Sequence, residues 1–367
     1  MSCASSPLSE MGRPAPEELW GEHEEPTDAP KPVLPSIKFV KQKPLADQEL
    51  YRGRILEGTG RHWIVEPEEN PEELLECTVA GTVVSEEPDS SHVVAVGDLV
   101  SFVRTKERAP SGYPQGVIVQ ILRRHTKLTR YRRGEGKEQV LVSNADQLVI
   151  LQAAAEPRYD RFLIDRYLIA AELGGLQALI CLNKIDLGCP QQIREELRVY
   201  TDVLHVPLLL CSALTGEGID SLRAVLQGKI SILSGPSGVG KSTLANLLLG
   251  RELQRVGPIS PKLRQGRHVT TMARMFRLPE GGYIVDTPGI RELFFWNITR
   301  DELEDFFPDF QPWAKECLYQ PCSHIHEPGC AVRSAVEQGN IDSLRYDHYC
   351  RLWQSLPKYR YQWKHRR

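Results

Sequence analysis

An eight-residue segment at 235–242, G-P-S-G-V-G-K-S, restricts this chain to an α/β architecture because it matches the phosphate-loop pattern G-x-x-x-x-G-K-[S/T]. An apolar run at 229–233 predicts a strand before the loop, and residues 243–249 predict a helix after it. In this arrangement the lysine reaches the β- and γ-phosphates and the serine hydroxyl binds Mg²⁺. The predicted nucleotide-binding residues of the loop are Gly235, Pro236, Ser237, Gly238, Val239, Gly240, Lys241, Ser242 and Thr243.

The sheet that carries this loop is predicted from five apolar runs, which are separated by helical stretches. They lie at 148–151, 179–182, 208–210, 230–233 and 284–285. Strands that alternate with helices predict a mostly parallel, doubly wound sheet.

Two further loops predict which base is bound. Asn183, Lys184 and Asp186 belong to the segment N-K-I-D after a predicted strand, and Ser212 and Ala213 follow the next strand. The Asp186 carboxylate can accept hydrogen bonds from guanine N1–H and the exocyclic amine, whereas adenine would leave it unpaired. We expect Asn183 to position the loop and the base edge, and the Lys184 stem to cover the base face. A backbone N–H of the Ser212–Ala213–Leu214 loop could meet guanine O6. The predicted ligand is GTP or GDP.

Two later segments contain the residues predicted to bind magnesium and the γ-phosphate. Asp286 opens D-T-P-G at 286–289 and would hold Mg²⁺ through water, while the Gly289 N–H would contact the γ-phosphate. Upstream, G-R-H-V-T-T at 266–271 offers the hydroxyl of Thr270 or Thr271 to the other side of the metal.

The order of these motifs is unusual, because the guanine loops precede the phosphate loop, whereas a Ras-like domain has them last. The cyclic order is preserved, so the same sheet can form with its termini elsewhere. On these motifs the chain resembles the RsgA (YjeQ) family of circularly permuted GTPases over about residues 47–350. The resemblance implies an N-terminal OB-fold, a permuted GTPase domain, a C-terminal zinc domain and a role in small ribosomal subunit biogenesis.

A predicted zinc site lies near the C-terminus, where three cysteines and one histidine are closely spaced as C-x₄-C-x-H-x₅-C. These residues are Cys317, Cys322, His324 and Cys330. Three sulfurs and one imidazole are typical of a closed, structural zinc site with no open catalytic position. His326 competes for the histidine role, and Cys350 is too distant in sequence to replace a member. The pattern also matches the zinc motif of the family that the chain resembles.

The region between about residues 47 and 122 contains five short strand-like runs with turns between them. They predict a small β-barrel, either an OB-fold or another small barrel. A basic run follows at 123–133 and includes Tyr131. Its cations are Arg123, Arg124, Lys127, Arg130, Arg132 and Arg133. This run is either a phosphate-backbone contact or a solvated linker.

The two ends of the chain have biased compositions. Residues 1–46 are acidic and rich in proline, which predicts a disordered tail. After a helical stretch predicted at 331–349, the chain ends in cations interleaved with aromatic rings, namely Lys358, Tyr359, Arg360, Tyr361, Trp363, Lys364, Arg366 and Arg367. This end either binds RNA through phosphate contacts and base stacking or is a frayed terminus.

Overall composition narrows the classes of function. The chain carries 45 basic and 48 acidic residues, so nucleic-acid contact must come from local basic patches. No apolar run approaches the roughly 18 residues of a membrane-spanning helix, so we predict no membrane partner. Nine cysteines, an odd number, without a signal peptide predict a reducing cytoplasm instead of a disulfide framework.

The predicted catalytic residues are Lys241, Gly289 and His268. For His268 there are two alternative roles. Ras-like enzymes place a water-orienting glutamine where this chain has Ile290, which cannot orient water. The resemblance implies slow intrinsic hydrolysis that needs another group or a partner. His268 is the nearest candidate to position water; alternatively, it contacts protein or RNA. Val269 stands where relatives often carry a third threonine, so Thr270 and Thr271 share the metal role.

We therefore predict four segments: an acidic tail at 1–46, an OB-fold at 47–125, a permuted GTPase domain at 126–300, and a mostly helical zinc domain with a basic–aromatic tail at 301–367. The expected activity is Mg²⁺-dependent GTP hydrolysis by a monomeric, cytoplasmic assembly or checkpoint factor, stimulated by the small ribosomal subunit and its rRNA. One alternative is an RNA-binding scaffold with GTP as a slowly turned-over ligand. Another is an ATP-using kinase, against which the N-K-I-D segment argues.

Overall fold

The computed structural model describes residues 49–58, 60–85, 94–109, 111–131, 138–250, 273–287 and 298–358. Several predicted features lie outside these ranges: the acidic tail at 1–46, residues 266–271 with His268, Thr270 and Thr271, the residues Gly289 and Ile290, the cations Arg132 and Arg133, and the basic–aromatic end at 359–367.

The first five strands form a closed barrel. They are β1 (Tyr51–Gly58), β2 (His62–Pro67), β3 (Leu75–Ser85), β4 (Leu99–Arg108) and β5 (Pro114–Ile121). Their order is β1-β2-β3-β5-β4, and β4 pairs back onto β1. The β3–β5 pair is parallel and the other pairs are antiparallel. This connectivity confirms the predicted OB-fold.

Arg124, at the end of the barrel, does not serve as a phosphate contact. Its guanidinium is buried and makes two 2.7 Å hydrogen bonds to the carboxylate of Asp98, which is also buried. Ser143 donates to the same carboxylate at 2.6 Å. A buried charge needs such a partner, so this pairing removes Arg124 from the predicted basic surface.

In the described part of the basic run, residues 127–131 form a strand and not a solvated linker. Strand β6 (Lys127–Tyr131) pairs antiparallel with β7 (Glu138–Ser143) as a separate two-stranded sheet. Leu128 and Val142, on facing strands, are fully buried and belong to a core cluster of the α/β region. Packing of this apolar face explains why a segment rich in cations is held against the rest of the protein.

The α/β region contains a six-stranded sheet with the order β10-β9-β8-β11-β13-β12. Its strands are β8 (Gln147–Ala153), β9 (Gln177–Asn183), β10 (Leu208–Leu210), β11 (Ile230–Ser234), β12 (Arg274–Arg277) and β13 (Tyr283–Asp286). All neighbouring pairs are parallel except β12 with β13 at one edge. The structure thus confirms the predicted mostly parallel sheet.

Helices cover both faces of this sheet. They are α1 (Arg161–Leu173), α2 (Pro190–Glu196), α3 (Ile219–Leu226) and α4 (Lys241–Leu249). Strand β8 shows the two layers: Leu148 and Ile150 belong to one core cluster, and Val149 and Leu151 belong to the other. Successive side chains of a strand point to opposite faces, so a central strand covered on both sides is apolar throughout.

The C-terminal region is built from short helices. After 3₁₀ turns at Arg300–Phe306 and Pro308–Phe310 come α5 (Gln311–Ala314), α6 (Ala331–Glu337) and α7 (Ser343–Ser355). The helical stretch predicted at 331–349 is thus divided between two helices, α6 and α7. Gly339, with φ of +77°, follows α6 in the left-handed conformation that ends helices, and the Asp342 side chain caps the start of α7.

Helix α1 packs against both neighbouring cores. Ile164 and Tyr167 belong to the α/β core, whereas Ile169 belongs to the C-terminal core with Phe307 and Tyr349. No helix in the described part of the chain is long and apolar enough to cross a lipid bilayer.

Candidate guanine-nucleotide and metal sites

The predicted phosphate loop connects β11 to α4, and two of its glycines are required by close contacts. Gly240, the residue before α4, has φ of +93°, and a Cβ there would lie 2.3 Å from Nδ2 of Asn183. A Cβ at Gly235 would lie 1.9 Å from the carbonyl oxygen of Leu151. Only glycine fits both positions, so the loop can turn tightly above the carboxyl ends of β8 and β11.

Lys241 lies at the first position of α4 and bends back over this loop. Its ammonium donates to the carbonyl oxygens of Gly235 at 2.8 Å and Pro236 at 2.7 Å. Ser242 and Thr243, in the first turn, are exposed. The lysine charge, the serine hydroxyl and the helix N-terminus therefore meet at one edge of the sheet, as phosphate binding requires.

Asn183 connects three loops that are far apart in sequence. Its Nδ2 donates to the carbonyl oxygen of Val239 in the phosphate loop at 2.9 Å. Its Oδ1 accepts the backbone N–H of Ala213 at 2.9 Å. Asn183 is buried, so both bonds fix the relative positions of the three segments, as expected for a residue that positions the loop.

Asp186 and Ser212 face each other, although 26 residues separate them. The Ser212 hydroxyl donates to Oδ1 of Asp186 at 2.5 Å and accepts the N–H of Thr215 at 3.1 Å. This chain of bonds orients the exposed Asp186 carboxylate. The Ala213 N–H, which was a candidate for guanine O6, already has Asn183 as its partner.

Lys184 is held beside the phosphate loop by a neighbouring turn. It adopts φ of +61°, and its ammonium donates to the carbonyl oxygen of Glu156. Pro157, in the same turn, packs closely against Gly238 of the phosphate loop. A Cβ added at Gly238 would lie 3.3 Å from Cδ of Pro157. The turn after β8 thereby supports both the predicted base site and the predicted phosphate site.

Asp286, the predicted magnesium residue, ends β13 on the same edge of the sheet. Burial raises the pKa of its carboxyl, and the nearby charges of Lys241 and Arg274 oppose this shift. The following residue, Thr287, is buried and its hydroxyl donates to the carbonyl oxygen of Leu233 in β11 at 3.1 Å. The predicted partners Gly289, Thr270 and Thr271 lie outside the described residues, so the magnesium contacts stay a prediction.

The second candidate site is the buried cluster formed by Cys317, Cys322, His324 and Cys330, whose ligand atoms all lie within 4.8 Å of one another. The Cys317 and Cys330 sulfurs are 3.9 Å apart, and His324 Nδ1 lies 3.7 Å and 3.4 Å from them. Zinc–sulfur bonds of about 2.3 Å at tetrahedral angles put sulfurs about 3.8 Å apart. The cluster therefore fits a zinc ion.

Burial disfavours the thiolate forms of Cys322 and Cys330 when no cation is bound. It raises the pKa of the Cys322 thiol to about 12 and raises the pKa of Cys330 as well. A metal ion binds the thiolate form and so offsets this cost. His326 has an exposed side chain and lies outside the cluster, as does the half-buried Cys350, which favours His324 as the ligand.

The side chains around His324 fix its orientation. His324 adopts φ of +59°, and its Nε2 lies 3.2 Å from Oε2 of Glu304. With Nδ1 facing the sulfurs, Glu304 and His324 would form the carboxylate–histidine–metal arrangement common in zinc sites if a metal were bound. The Tyr346 hydroxyl donates to the His324 carbonyl oxygen at 2.7 Å, and Tyr349 donates to that of Ser323 at 3.0 Å.

Sequence reasoning missed Glu304 and Glu327. The Glu327 carboxylate accepts bonds from the Ser323 hydroxyl and backbone N–H, at 2.7 Å and 3.0 Å. Its partial burial raises its pKa, but these bonds outweigh that effect and lower the pKa to about 2. Glu327 is in the loop between His324 and Cys330, and its place there could have suggested that it accepts hydrogen bonds from this loop. Glu304 precedes the first cysteine by 13 positions, and no spacing rule points to it.

Comparison with known proteins agrees with this arrangement. The family model described as RsgA GTPase matches residues 121–296. The "Small ribosomal subunit biogenesis GTPase RsgA" of Chlorobaculum parvum is 42% identical over 313 residues, which cover 84% of this chain and 99% of that protein. The crystal structure of YjeQ from Thermotoga maritima matches at 31% identity with a TM-score of 0.62, covering 84% of this chain and 98% of that chain.

The structure described as "YloQ, a circularly permuted GTPase" shares the fold, with a TM-score of 0.59 at 24% identity, over 86% of this chain and 97% of that chain. In the present chain too, the guanine loops precede the phosphate loop. Since 42% identity extends over nearly the whole length of a curated relative, the chain belongs to the RsgA family of circularly permuted GTPases.

Proposed function

We propose that this GTPase acts in late maturation of the small ribosomal subunit, as an assembly or checkpoint factor in the cytoplasm whose hydrolysis the subunit stimulates. The observation that carries the proposal is the 42% identity to a small ribosomal subunit biogenesis GTPase along 99% of that protein's length. The match is too long to rest on the GTPase motifs alone, so the barrel and the C-terminal region share in it.

Guanine recognition is assigned to Asp186, which Ser212 holds at 2.5 Å. The carboxylate accepts from guanine N1–H and the exocyclic amine, and adenine would leave it desolvated without a donor. Asn183 holds this loop at a fixed distance from the phosphate loop through Val239. Base and phosphates are thus bound by parts of one hydrogen-bonded unit.

Phosphate binding is assigned to the loop at 235–242, where Lys241 exchanges its two carbonyl partners for phosphate oxygens. Magnesium, when bound, neutralises charge on the β- and γ-phosphates. Ser242 and Asp286 would hold it, with Thr270 or Thr271 on its other side and the Gly289 N–H on the γ-phosphate. The predicted nucleotide contacts are also carried by Gly235 to Val239, Gly240 and Thr243.

Hydrolysis by the free protein is expected to be slow, because Ile290 stands in the place of a water-orienting glutamine. His268 is our candidate for positioning water. A particle that positions His268 for this role would raise the rate, which is how a maturation factor can couple hydrolysis to the state of its substrate.

Structural zinc is proposed at the cluster of Cys317, Cys322, His324 and Cys330. The buried, closed ligand set suits a structural role, since four protein ligands leave no position for water or substrate. Zinc would hold the loops before α6 in place and so present the C-terminal region as a stable surface.

Contact with rRNA is proposed for the remaining basic run and the basic–aromatic end. Arg123 is exposed, and Lys127 and Arg130 are half-buried on β6, whereas Arg124 is excluded by its bond to Asp98. Phosphate contacts release counterions, so particle binding should weaken as salt rises. The protein is proposed to act as a monomer.

The decisive experiment measures GTP hydrolysis with and without purified small subunits. Large subunits serve as the control for unspecific RNA effects, and a Lys241→Ala variant controls for contaminating GTPases. We expect stimulation by small subunits that declines with added salt, and reduced stimulation without change in free GTP affinity when charge is reversed at Arg130, Arg132 and Arg133. A wild-type rate that small subunits leave unchanged would favour the scaffold function, in which GTP is a slowly turned-over ligand.

A further inference from the structure

The barrel touches the GTPase domain at the hairpin of β12 and β13, which ends in Asp286. Strand β1 lies against β12. A barrel carboxylate meets a hairpin donor at each of three points: Glu57 with Arg274 at 2.7 Å, Glu66 with the Tyr283 hydroxyl at 2.5 Å, and Glu72 with Arg277 at 3.3 Å. Thus acids lie on the barrel side of this contact and donors on the hairpin side.

A β-bulge in β1 creates the first of these contacts. The pairing of β1 with β2 shifts by one residue between Ile55 and Glu57. Ile55 is in the barrel core, but the next two side chains, Leu56 and Glu57, are both only partly buried, so the usual alternation is interrupted. Leu56 packs against the α/β core, and Glu57 binds Arg274. A bulge re-aims side chains in this way and is typical of functional contacts.

Arg274 lies between this barrel carboxylate and the predicted magnesium residue. In the antiparallel pairing of β12 with β13, Arg274 is directly opposite Asp286. Residues opposite each other have Cβ atoms about 4.5–5.5 Å apart, within reach of a long side chain. The Arg274 charge acts on Asp286 and opposes the rise in its pKa that burial causes. The Arg274 guanidinium is therefore paired with Glu57 and lies in the strand position opposite Asp286, on which its charge acts.

We propose that Glu57 and Arg274 are positioning residues for GTP hydrolysis, which couple the barrel to Asp286. This inference rests on the proposed function, because it explains how a particle bound to the barrel changes the rate. If Asp286 holds Mg²⁺, the charge of the ion would weaken the attraction between Asp286 and Arg274 and so favour the pair of Arg274 with Glu57. The coupling is reciprocal, so a partner that moves β1 alters the surroundings of Asp286.

The chain supplies a matched control for this pair. Glu72 and Arg277 form the same kind of ion pair between the barrel and the same hairpin, but their side chains are 89% and 52% exposed. The pairing register puts Arg277 opposite Tyr283 and not opposite Asp286. Substitution of Glu72 by glutamine therefore removes a comparable charge without touching the proposed coupling.

The first test uses the free protein and compares hydrogen exchange of β1 (Tyr51–Gly58) with GDP and with Mg²⁺ and a non-hydrolysable GTP analogue. In the wild type and in Glu72→Gln, β1 protection should differ between the two nucleotide states. In Glu57→Gln this difference should disappear, while the melting temperature and nucleotide affinity stay near wild type. A β1 that does not respond to nucleotide in the wild type, or that still responds in Glu57→Gln, overturns the proposal.

The second test measures single-turnover hydrolysis at saturating small subunits. Glu57→Gln should lose about fivefold or more of the stimulation, with particle affinity within about twofold of wild type. A double variant, Glu57→Gln with Arg274→Gln, should be no slower than Arg274→Gln alone if both act through one contact. If small subunits fail to stimulate the wild type, the proposed function fails, and the exchange experiment still decides the coupling. Full stimulation in Glu57→Gln contradicts the coupling alone.

Discussion

Arg345 in α7 donates from Nη1 to Oδ1 of Asp165 in α1 at 2.5 Å, across 180 positions of sequence. His348 Nδ1 lies 2.5 Å from the other oxygen of Asp165, and Arg345 Nε lies 3.0 Å from both oxygens of Asp309. Asp165, Arg345 and His348 are buried. This network ties the C-terminal region to a helix whose Tyr167 bonds Ser234, the residue before the phosphate loop, at 3.1 Å.

Replacing Arg345 by alanine should destabilise the protein by about 3–5 kcal/mol, because it leaves buried carboxylates without their cation. Urea unfolding followed by fluorescence measures this loss. Arg198→Ala is the matched control, since Arg198 forms exposed ion pairs with Glu195 and Asp202 and should cost about 0–1 kcal/mol. Equal effects of the two substitutions would show that the buried network contributes no more than surface charges.

Asn183→Ala should weaken binding of both GTP and GDP by about tenfold or more, because it leaves the Val239 carbonyl and the Ala213 N–H unpaired at about 1–3 kcal/mol each. Titration with fluorescent nucleotides gives the affinities. Asn340→Ala, an exposed asparagine in the C-terminal region, is the control. If Asn183→Ala binds both nucleotides as well as wild type, Asn183 does not organise the site.

Asp186→Asn should weaken GTP binding by about 10- to 100-fold, equivalent to about 1–3 kcal/mol, and favour xanthosine triphosphate. The new amide donates where the carboxylate accepted, and the Ser212 hydroxyl can still donate to its oxygen. Competition between the two nucleotides for both proteins measures the switch. Unchanged GTP affinity in the variant argues against a guanine site at Asp186.

Metal analysis of the purified protein should find about one zinc ion per chain, as one closed four-ligand site requires. Cys317→Ala and Cys330→Ala should lower this content and loosen the C-terminal region, with nucleotide binding largely intact. Cys189→Ala changes an exposed cysteine outside the cluster and should retain the metal. Full zinc content in both cluster variants means that the ligands are misassigned.

Glu304→Gln should retain zinc but bind it about 10- to 100-fold more weakly, because carboxylates beside a ligating histidine strengthen the ligand. A competition titration against a chelator measures the affinity. Glu316→Gln, at an exposed acid next to Cys317 in sequence, is the control. If the two variants bind zinc with equal affinity, Glu304 does not influence metal binding.

His268→Ala distinguishes two functions of His268. If His268 positions water, single-turnover hydrolysis on small subunits falls while particle affinity is kept. If His268 contacts RNA, particle affinity falls and the rate at saturation is kept. Both quantities should be measured for wild type and variant under the same salt conditions.

The sequence by itself determined which residue types the two candidate sites contain. The glycines at fixed offsets before Lys241, the segment that contains Asp186, and the four candidate metal ligands are each grouped within a short stretch of chain. Spacing of this local kind can be recognised from the amino-acid sequence alone. Alternation of apolar runs and turns likewise predicted the barrel and the parallel sheet, and the structure and relatives confirm both. The domain boundaries and the individual site residues stay predictions.

Tertiary structure alone decided which charged residues are surface and which are internal. In the sequence Arg124 cannot be distinguished from the other cations of the basic run. In the structure it is buried and paired with Asp98, 26 positions earlier. No sequence pattern indicates that Asp165 pairs with Arg345, or that Glu57 pairs with Arg274. Burial of a charge is stable only opposite a partner that the folded chain brings near, and that partner can be anywhere in the sequence. Periodicity and spacing describe near neighbours, so contacts between domains became visible only in three dimensions.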